Sequence, residues 1–304
     1  MRLLALAALV IPLGLDLFVP VPENNPITPE NIELGRQLFN DTRLSRDGTI
    51  ACTSCHDPGR AFTKPETVSP GVAGRRGRRN APTIVNRAWG RSFFWDGRAA
   101  TLEAQVLMPI EDSDEMDLPI AEASRRVNVP VEEMALALAT YVRSRMSGNA
   151  PFDRFNSGER TALTPDERNG LRVFLGRGNC TVCHVGPNFT DEKTHNTGIA
   201  WQPAAASAMS GRFLDEGRAG VTHAPADRGA FKTPTLREAG RTSPYMHDGS
   251  LATLEEVVEY YDRGGRPNPN LDHDMQRLDL PAEDKRALVA FLKTLSGEAA
   301  SDTR

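Results

Sequence analysis

All four cysteines of the chain lie in two copies of one five-residue motif, which constrains the fold more than any other feature. The copies are Cys52-Thr-Ser-Cys55-His56 and Cys180-Thr-Val-Cys183-His184. C-x-x-C-H is the attachment signature of a c-type haem, in which two thiols form thioethers with the porphyrin and the histidine binds the iron. On one helical turn the two thiols and the imidazole share a face. The sequence therefore predicts two c-type haems.

Two other uses of the cysteines remain open at this point. Four thiolates could bind zinc, although the two pairs of such a site usually lie closer in sequence and zinc does not require a histidine after each pair. In an oxidising compartment the cysteines could instead form structural disulfides. The histidine that follows each pair favours haem over both alternatives.

The length and charge of the chain favour a soluble globular protein. Its 304 residues suffice for two domains, and 39% of them are hydrophobic and 25% charged. The net charge of −4 favours neither nucleic acid nor an anionic membrane as a partner.

The N-terminus carries a candidate export segment. Met1 and Arg2 precede an apolar stretch from Leu3 to Leu15, which has the length of a signal-peptide core and is too short to cross a bilayer comfortably. No A-x-A cleavage site follows at the expected distance. We therefore expect residues 1–24 to be an export signal or a retained anchor, with membrane attachment only through this segment. A periplasmic location agrees with the haems, because bacterial c-type haem is attached outside the cytoplasm.

The two halves of the chain follow one plan. A helix start at Thr28-Pro29 leads toward the first motif, and one at Thr164-Pro165 leads toward the second. Closing helices with a period near 3.6 begin at Pro130 and Pro281. We predict a mainly α fold with two cytochrome c-like domains, residues 25–150 and 151–304, and a boundary near residues 150–163.

The second axial ligand decides whether a haem carries electrons or binds a substrate. No histidine occurs from Asp57 to Cys183, so the first haem has no histidine of its own half opposite His56. The remaining candidates are Lys64, Met108, Met116, Met134 and Met146. Because the sequence pattern assigns Met134 and Met146 to the closing helix, core packing is the better interpretation for them. We predict an open distal side at the first haem.

Four further segments carry distinctive sequences: Arg79-Asn80-Ala81-Pro82-Thr83, Phe94-Trp95-Asp96-Gly97-Arg98-Ala99, Phe231-Lys232-Thr233-Pro234-Thr235-Leu236-Arg237 and Pro244-Tyr245-Met246-His247-Asp248-Gly249. Together with the two haem motifs, they resemble the bacterial dihaem cytochrome c peroxidases and their relative, the methylamine-utilisation enzyme MauG. The resemblance extends from about Asn25 to Gly297. It implies an enzyme that acts on hydrogen peroxide at the first haem.

The resemblance also implies roles for individual residues. Trp95 corresponds to the tryptophan that relays electrons between the haems, and Gln105, Pro109 and Glu115 correspond to the distal wall of the first haem. A carboxyl group there can move a proton between the two oxygens of bound peroxide. Without the resemblance, Glu115 reads as part of a solvated acidic run, and Trp95 could be an ordinary core residue.

A calcium ion between the domains is implied as well. Asn80, Thr242 and Pro244 match its ligands, which are side-chain and backbone oxygens. Oxygen ligands of this kind suit calcium. His247 lies within one of the matching segments and is expected to shape the second haem pocket, whereas His195, His223 and His273 are expected to be ordinary structural or exposed histidines.

The chain departs from the usual peroxidase at three places. The loop after the first motif, residues 69–74, lacks the histidine that caps the first iron in many relatives, and Ala73 cannot bind iron. The usual methionine ligand of the second haem falls on Tyr261, as in MauG, with Met275 as the alternative and Tyr260 as a further one. Residues 177–179 also lack the aromatic residue that MauG has ahead of its second motif, which puts methylamine dehydrogenase in doubt as a partner.

We therefore predict an exported dihaem peroxidase that receives electrons from a small cytochrome or copper protein through its C-terminal haem. The alternative within the family is MauG-like oxidation of side chains in a partner protein. The alternative of another class is a dihaem electron carrier without catalysis, which requires both irons to be saturated by side chains and no distal acid.

Overall fold

The computed structural model describes residues 11–205 and 207–299, and within these ranges the chain is mainly helical with a few short strands. The longer helices begin where the sequence predicted them. Helix α1 begins at Pro29, behind a Thr28 side chain that accepts a hydrogen bond from Asn31 N at 3.2 Å. Such caps satisfy the unpaired N–H groups of the first turn. The helix starts were thus encoded locally. Residues 1–10, the first part of the predicted export segment 1–24, lie outside the described residues.

The helices are numbered in chain order. They are α1 Pro29–Phe39, α2 Leu102–Gln105, α3 Met108–Glu111, α4 Ile120–Val127, α5 Val131–Ser144, α6 Pro151–Asn156, α7 Pro165–Leu175, α8 Ala219–Thr222, α9 Leu254–Asp262 and α10 Ala282–Lys293. The strands form antiparallel pairs, β1 Ser147–Gly148 with β6 Glu298–Ala299, β2 Thr194–His195 with β5 Phe231–Lys232, and β3 Trp201–Ala204 with β4 Ser207–Phe213.

Two helix pairs organise the molecule. Helix α1 crosses α5, and α7 crosses α10. A glycine lies at each crossing: a Cβ atom on Gly35 would stand 2.1 Å from Ala137 O, and one on Gly170 would stand 1.9 Å from Ala287 O. Only glycine permits backbones to approach this closely. Each half therefore closes its opening helix onto its closing helix in the same way.

The two halves also have separate hydrophobic cores. The larger buried cluster draws on residues 38–142, with Leu44, Ile110 and Met134 completely buried. The second cluster draws on residues 173–295 and centres on Phe174 and Phe291. Each core thus belongs to one of the predicted halves.

A longer internal repeat emerges from the structure. Residues 80–103 and 232–255 follow the same order of turns without an insertion or deletion between them, although only the second copy has a cis peptide bond, at Ser243–Pro244. Phe94 and Met246 both adopt positive φ, at 64° and 72°. Thr101 caps α2, and Thr253 caps α9 at the equivalent position. In this repeat Asn80 is equivalent to Lys232, and Trp95 is equivalent to His247.

The two copies of the repeat bind each other reciprocally. Asn80 N donates to His247 O at 2.7 Å, and Lys232 N donates to Trp95 O at 2.7 Å. Because donors and acceptors occupy equivalent positions, the contact resembles that of a twofold-symmetric dimer. It brings Trp95 of the first half directly against the second half.

Residues 11–19 form a segment that contacts both halves. Leu13 O accepts from Asn149 N at 2.8 Å, and Gly14 O accepts from Arg237 Nη2 at 2.9 Å. Phe18 O accepts from Trp89 Nε1 at 2.8 Å. In this structure the segment therefore packs against both halves. Throughout residues 11–205 and 207–299, no helix combines the length and apolar character needed to cross a bilayer.

Candidate haem sites and peroxide pocket

Each C-x-x-C-H motif lines its own cavity. The smaller cavity, of about 80 Å³, contains Cys52, Cys55 and His56 on its wall. The larger cavity, of about 250 Å³, contains the residues of the second motif, Cys180, Cys183 and His184. All four cysteines are free thiols. The division between two cavities argues against one four-cysteine zinc site, and no two of the four cysteines are joined in a disulfide in this structure.

The two motifs adopt the same local turn. A short 3₁₀ turn covers Cys52–Ser54, and another covers Cys180–Val182. The backbone N–H of His56 donates to Cys52 O, and that of His184 donates to Cys180 O, both at 2.9 Å. This turn places the two thiols and the imidazole on one side, as the sequence predicted.

Each motif histidine is oriented by a backbone carbonyl. His56 Nδ1 lies 3.1 Å from Phe62 O, and His184 Nδ1 lies 2.8 Å from Phe189 O. Because a carbonyl can only accept, Nδ1 carries the proton and Nε2 keeps the lone pair that binds a metal. Burial also lowers the pKa of both histidines, which favours the neutral, ligating form. Both sites therefore fit a c-type haem.

The sequence analysis missed the two carbonyl groups. Phe62 and Phe189 both have positive φ, at 59° and 51°, which turns their carbonyls toward the histidines. A Phe-Thr pair follows each haem motif at nearly the same distance, as Phe62-Thr63 and Phe189-Thr190. This repeated pair was the available signal.

The smaller cavity brings together the predicted distal residues. Gln105 at the end of α2, Pro109 in α3 and Glu115 in the following loop all line it, together with His56. The loop is fixed by a hydrogen bond from Val72 N to Glu115 O at 2.8 Å. A carboxyl and a carboxamide thus face the same space as the haem-binding histidine.

Glu115 is not the solvated residue that its acidic run suggested. Burial, reinforced by the neighbouring charge of Asp112 and opposed by Arg98, raises the pKa of Glu115 to about 7. Near neutral pH its protonated and ionised forms are both populated, as a group that both accepts and donates a proton requires.

The residues considered as a cap or as the second axial ligand of the first haem lie at different places in the fold. Ala73 sits in the turn Val72–Gly74 with φ of 56°, away from the cavity wall formed by Ser69 and Gly71. Within the described ranges, His56 is the one histidine that lines the smaller cavity. Met116 lines it too but is 3% exposed and packs into the first core. The other candidates lie elsewhere: Lys64 pairs with Asp57, Met108 is exposed, Met134 lies in the first core and Met146 lies against the N-terminal segment.

The larger cavity contains both candidate ligands opposite His184. Tyr261 in α9 and Met275 in the following loop line its wall. Tyr260 is engaged elsewhere, because its hydroxyl donates to Thr197 O at 2.8 Å. Burial raises the pKa of the Tyr261 phenol, so its ionisation would depend on binding a cation such as ferric iron.

Trp95 and the predicted calcium ligands also line the larger cavity. Trp95 Nε1 donates to Asn80 O at 2.8 Å, which fixes the indole. Asn80, Thr242 and Pro244 share this wall. The Asn80 amide nitrogen donates to Glu66 O and Thr67 O, which leaves Oδ1 as its candidate ligand atom.

Two histidines have defined surroundings at this cavity. His247 stacks on Phe231 with ring centroids 3.6 Å apart, and it lines the cavity as its sequence segment suggested. His195 was expected to be an ordinary histidine, yet it lies between two carboxylates. Its Nδ1 is 2.6 Å from Asp272 Oδ2 and its Nε2 is 3.0 Å from Asp191 Oδ2. It therefore ties the loop that carries Met275 to the segment that follows the second motif.

Known proteins are similar to this chain in both sequence and fold. A family model described as di-haem cytochrome c peroxidase matches residues 29–161. The methylamine utilization protein MauG of Methylorubrum extorquens is 37% identical, over 94% of this chain and 83% of that protein. The cytochrome c551 peroxidase of Pseudomonas aeruginosa is 32% identical, over 93% of this chain and 85% of that protein.

A solved structure agrees with these relatives. The crystal structure of a MauG-like protein associated with microbial copper homeostasis superposes with a TM-score of 0.84 at 33% identity, covering 93% of this chain and 94% of that one. The diheme peroxidase BthA of Burkholderia thailandensis, at 24% identity and a TM-score of 0.73 over 95% of this chain and 92% of that one, shares the fold. The chain belongs to the dihaem cytochrome c peroxidase and MauG family, and is a haem-dependent oxidoreductase that acts on peroxide.

Proposed function

We propose that this protein reduces hydrogen peroxide in the smaller cavity with electrons that arrive through the larger cavity. One observation carries the proposal: Glu115 and Gln105 share a cavity wall with the haem-binding His56. A non-catalytic electron carrier would have no need for this pair of proton-handling and hydrogen-bonding groups. The external donor would be a small cytochrome or copper protein.

The side chains of the smaller cavity divide the work of peroxide cleavage. The haem, when bound to Cys52, Cys55 and His56, supplies the iron that binds peroxide and takes up its oxidising equivalents. Ionised Glu115 accepts the proton of the near peroxide oxygen and returns it to the far oxygen, so that water leaves. Gln105 holds the peroxide by donating a hydrogen bond. Pro109 shapes the same wall without competing for a proton.

The two halves would each hold one haem. Their separate cores and separate cavities support one cytochrome c-like domain in residues 25–150 and another in residues 151–304. Trp95 belongs to the first half and lines the cavity of the second, which suits a relay between the haems. Electrons would then move from the second site to the first through this indole.

The first test of the proposal uses the resting, fully oxidised holoprotein. We expect electron paramagnetic resonance to show one high-spin and one low-spin ferric haem. Because the loop at residues 69–74 brings no histidine to the smaller cavity, peroxide added without a reductant should change the high-spin signal at once. A lag that lasts until one electron is supplied would contradict the open first site, and two low-spin signals inert to peroxide would contradict the catalytic function itself.

The ligand opposite His184 can be tested separately. We propose Tyr261 rather than Met275, because a phenolate is a hard anionic ligand that stabilises ferric and higher oxidation states. Tyr261→Phe should therefore shift the spectrum of the second haem and raise its reduction potential. Tyr260→Phe is the matched control, since that hydroxyl is bonded to Thr197 O. An unchanged second-haem spectrum in Tyr261→Phe would transfer the assignment to Met275.

MauG-like oxidation of a partner protein is the second candidate function. It is favoured by Tyr261 on the wall of the larger cavity and by the loop that lacks a capping histidine. Residues 177–179 argue against the route that MauG uses, because Arg177 pairs with Asp284 where an aromatic residue would stand. A stoichiometric assay separates the two functions: a peroxidase consumes two reduced donors per peroxide, whereas a protein-oxidising enzyme produces a mass change in its target.

Two further assignments complete the proposal. A calcium ion would bind Asn80, Thr242 and Pro244, which share one cavity wall, and metal analysis of the purified holoprotein tests it.

Export to the periplasm would leave residues 11–19 in the mature protein, because they contact both halves. Cell fractionation with sequencing of the mature N-terminus tests this: a mature chain that begins after residue 19 contradicts it.

A further inference from the structure

Two buried cations share one carboxylate between the halves. Glu192 binds Arg87 through both oxygens, with Arg87 Nη1 at 2.8 Å from Oε1 and Nη2 at 3.0 Å from Oε2. Lys232 Nζ lies 3.6 Å from the same Oε1. The side chains of Arg87, Glu192 and Lys232 are only 11%, 8% and 9% exposed. This group therefore carries a net positive charge inside the protein.

The ammonium of Lys232 is poorly satisfied by the protein alone. Its other described contact is Thr233 O, at 3.4 Å. A buried ammonium with only long contacts is costly, because it has lost water without gaining a close anion. Burial, with the nearby charge of Arg87, accordingly lowers the pKa of Lys232 to about 7. When Lys232 is protonated, Glu192 alone leaves this group one anion short of neutrality.

Lys232 is also well placed to meet an anion. Lys232 is one of the residues that line the larger cavity, as are His184 and Trp95. Its backbone N–H donates to Trp95 O at 2.7 Å, so the residue adjoins the proposed relay. A haem carries two propionate carboxylates, which would bring negative charge into an occupied cavity.

The internal repeat indicates that the fold itself does not need a lysine here. The equivalent residue of the first half is Asn80, whose backbone makes the reciprocal hydrogen bond to His247 O. The Asn80 side chain is uncharged, and its amide nitrogen donates to two backbone carbonyls. The same backbone position thus tolerates a neutral side chain, and the charge of Lys232 is a feature of the second half alone.

We propose that the Lys232 ammonium binds a propionate of the haem in the larger cavity and thereby raises the reduction potential of that haem. The proposal rests on the proposed function, since it takes the second haem to occupy this cavity. A fixed positive charge near a redox centre favours the form with one more electron, and a carboxylate left without its partner favours the ferric form. Lys232 is thus a positioning residue that acts through the cofactor.

A spectroelectrochemical titration of the holoprotein tests the proposal. Lys232→Gln and Lys232→Met should lower the midpoint potential of the second haem, whereas Lys232→Arg should keep it near the wild-type value. At the wild-type midpoint, the ratio of ferrous to ferric second haem should fall by about three- to tenfold in the neutral variants, the size expected for one partly screened unit charge. Lys193→Gln is the matched control, because it removes the same charge from an exposed neighbour, whose carbonyl accepts a hydrogen bond from Thr233 N at 2.8 Å.

Each outcome separates the charge of Lys232 from other causes. An unchanged potential in both neutral variants would overturn the proposal, and so would an equal shift in Lys193→Gln, which would indicate only the net charge of the protein. An equal shift in Lys232→Arg would assign the effect to packing and would also overturn it. Failure of the proposed function is distinguishable, because it would appear in the wild-type protein as a missing second haem or as inertness toward peroxide.

Discussion

Glu115→Gln should slow the reaction of the oxidised holoprotein with peroxide by about 10²- to 10⁴-fold, the usual contribution of a positioned proton-transfer group. Glutamine keeps the size of the side chain and its place beside Gln105 and His56, but it cannot accept and return a proton. The loop should keep its conformation in the variant, because Val72 N donates its hydrogen bond to the backbone carbonyl of residue 115 and not to the side chain. Stopped-flow mixing with peroxide, followed at the first haem, measures the effect.

The acidic run supplies the control for this variant. Glu111→Gln removes a carboxylate from an exposed position whose oxygen accepts from Ile120 N at 3.2 Å, a bond that the glutamine oxygen can keep. It should leave the peroxide reaction near the wild-type rate. If both variants were equally slow, the effect would belong to the charge of the run, and Glu115 would lose its role in proton transfer.

The pH dependence follows from the raised pKa of Glu115. The ionised carboxylate is the form that accepts the peroxide proton, and burial sets its pKa to about 7. The rate constant should therefore rise with pH through about 7 and then level off, since the ionised fraction grows over that range. The Glu115→Gln variant should show no such step. A step that persists at the same pH in the variant would assign the titration to another group.

The features that the sequence predicted well are those encoded in adjacent residues. The starts of α1 and α7 depend on a threonine cap and a following proline, which act within one turn. The haem motifs likewise determine their own local turn. Glu115 is different: its run reads as surface, and only the packing of the loop beside Val72 turns the side chain into a cavity. That packing depends on residues more than forty positions away, so periodicity cannot reveal it.

Other features were not predicted because the groups that form them are not specific to one type of residue. The groups that orient His56 and His184 are backbone carbonyls, which every residue has. Lys232 stands within a segment that matches the family, but its burial and its shortage of anions become visible only when Glu192 and Arg87 are in position. The choice between Tyr261 and Met275 stays a prediction, because both side chains line the same cavity.

Trp95→Phe should reduce donor-dependent peroxide turnover to background while leaving the first haem able to react with peroxide. Phenylalanine preserves an aromatic ring in the wall of the larger cavity but is much harder to oxidise than an indole, so it should not relay electrons. The backbone hydrogen bond from Lys232 N to Trp95 O is independent of the side chain and should keep the halves together. Steady-state turnover with a reduced donor and single-turnover reaction of the oxidised protein measure the two steps separately.

Trp89→Phe is the matched control, since Trp89 Nε1 donates to Phe18 O in the N-terminal segment and its side chain is not among those that line either cavity in the described chain. It should keep donor-dependent turnover. If Trp95→Phe kept turnover as well, electrons would reach the first site by another route. If Trp95→Phe lost both steps, the indole would be a structural support of the site, because a relay that joins two haems cannot be needed for peroxide to react at the first one alone.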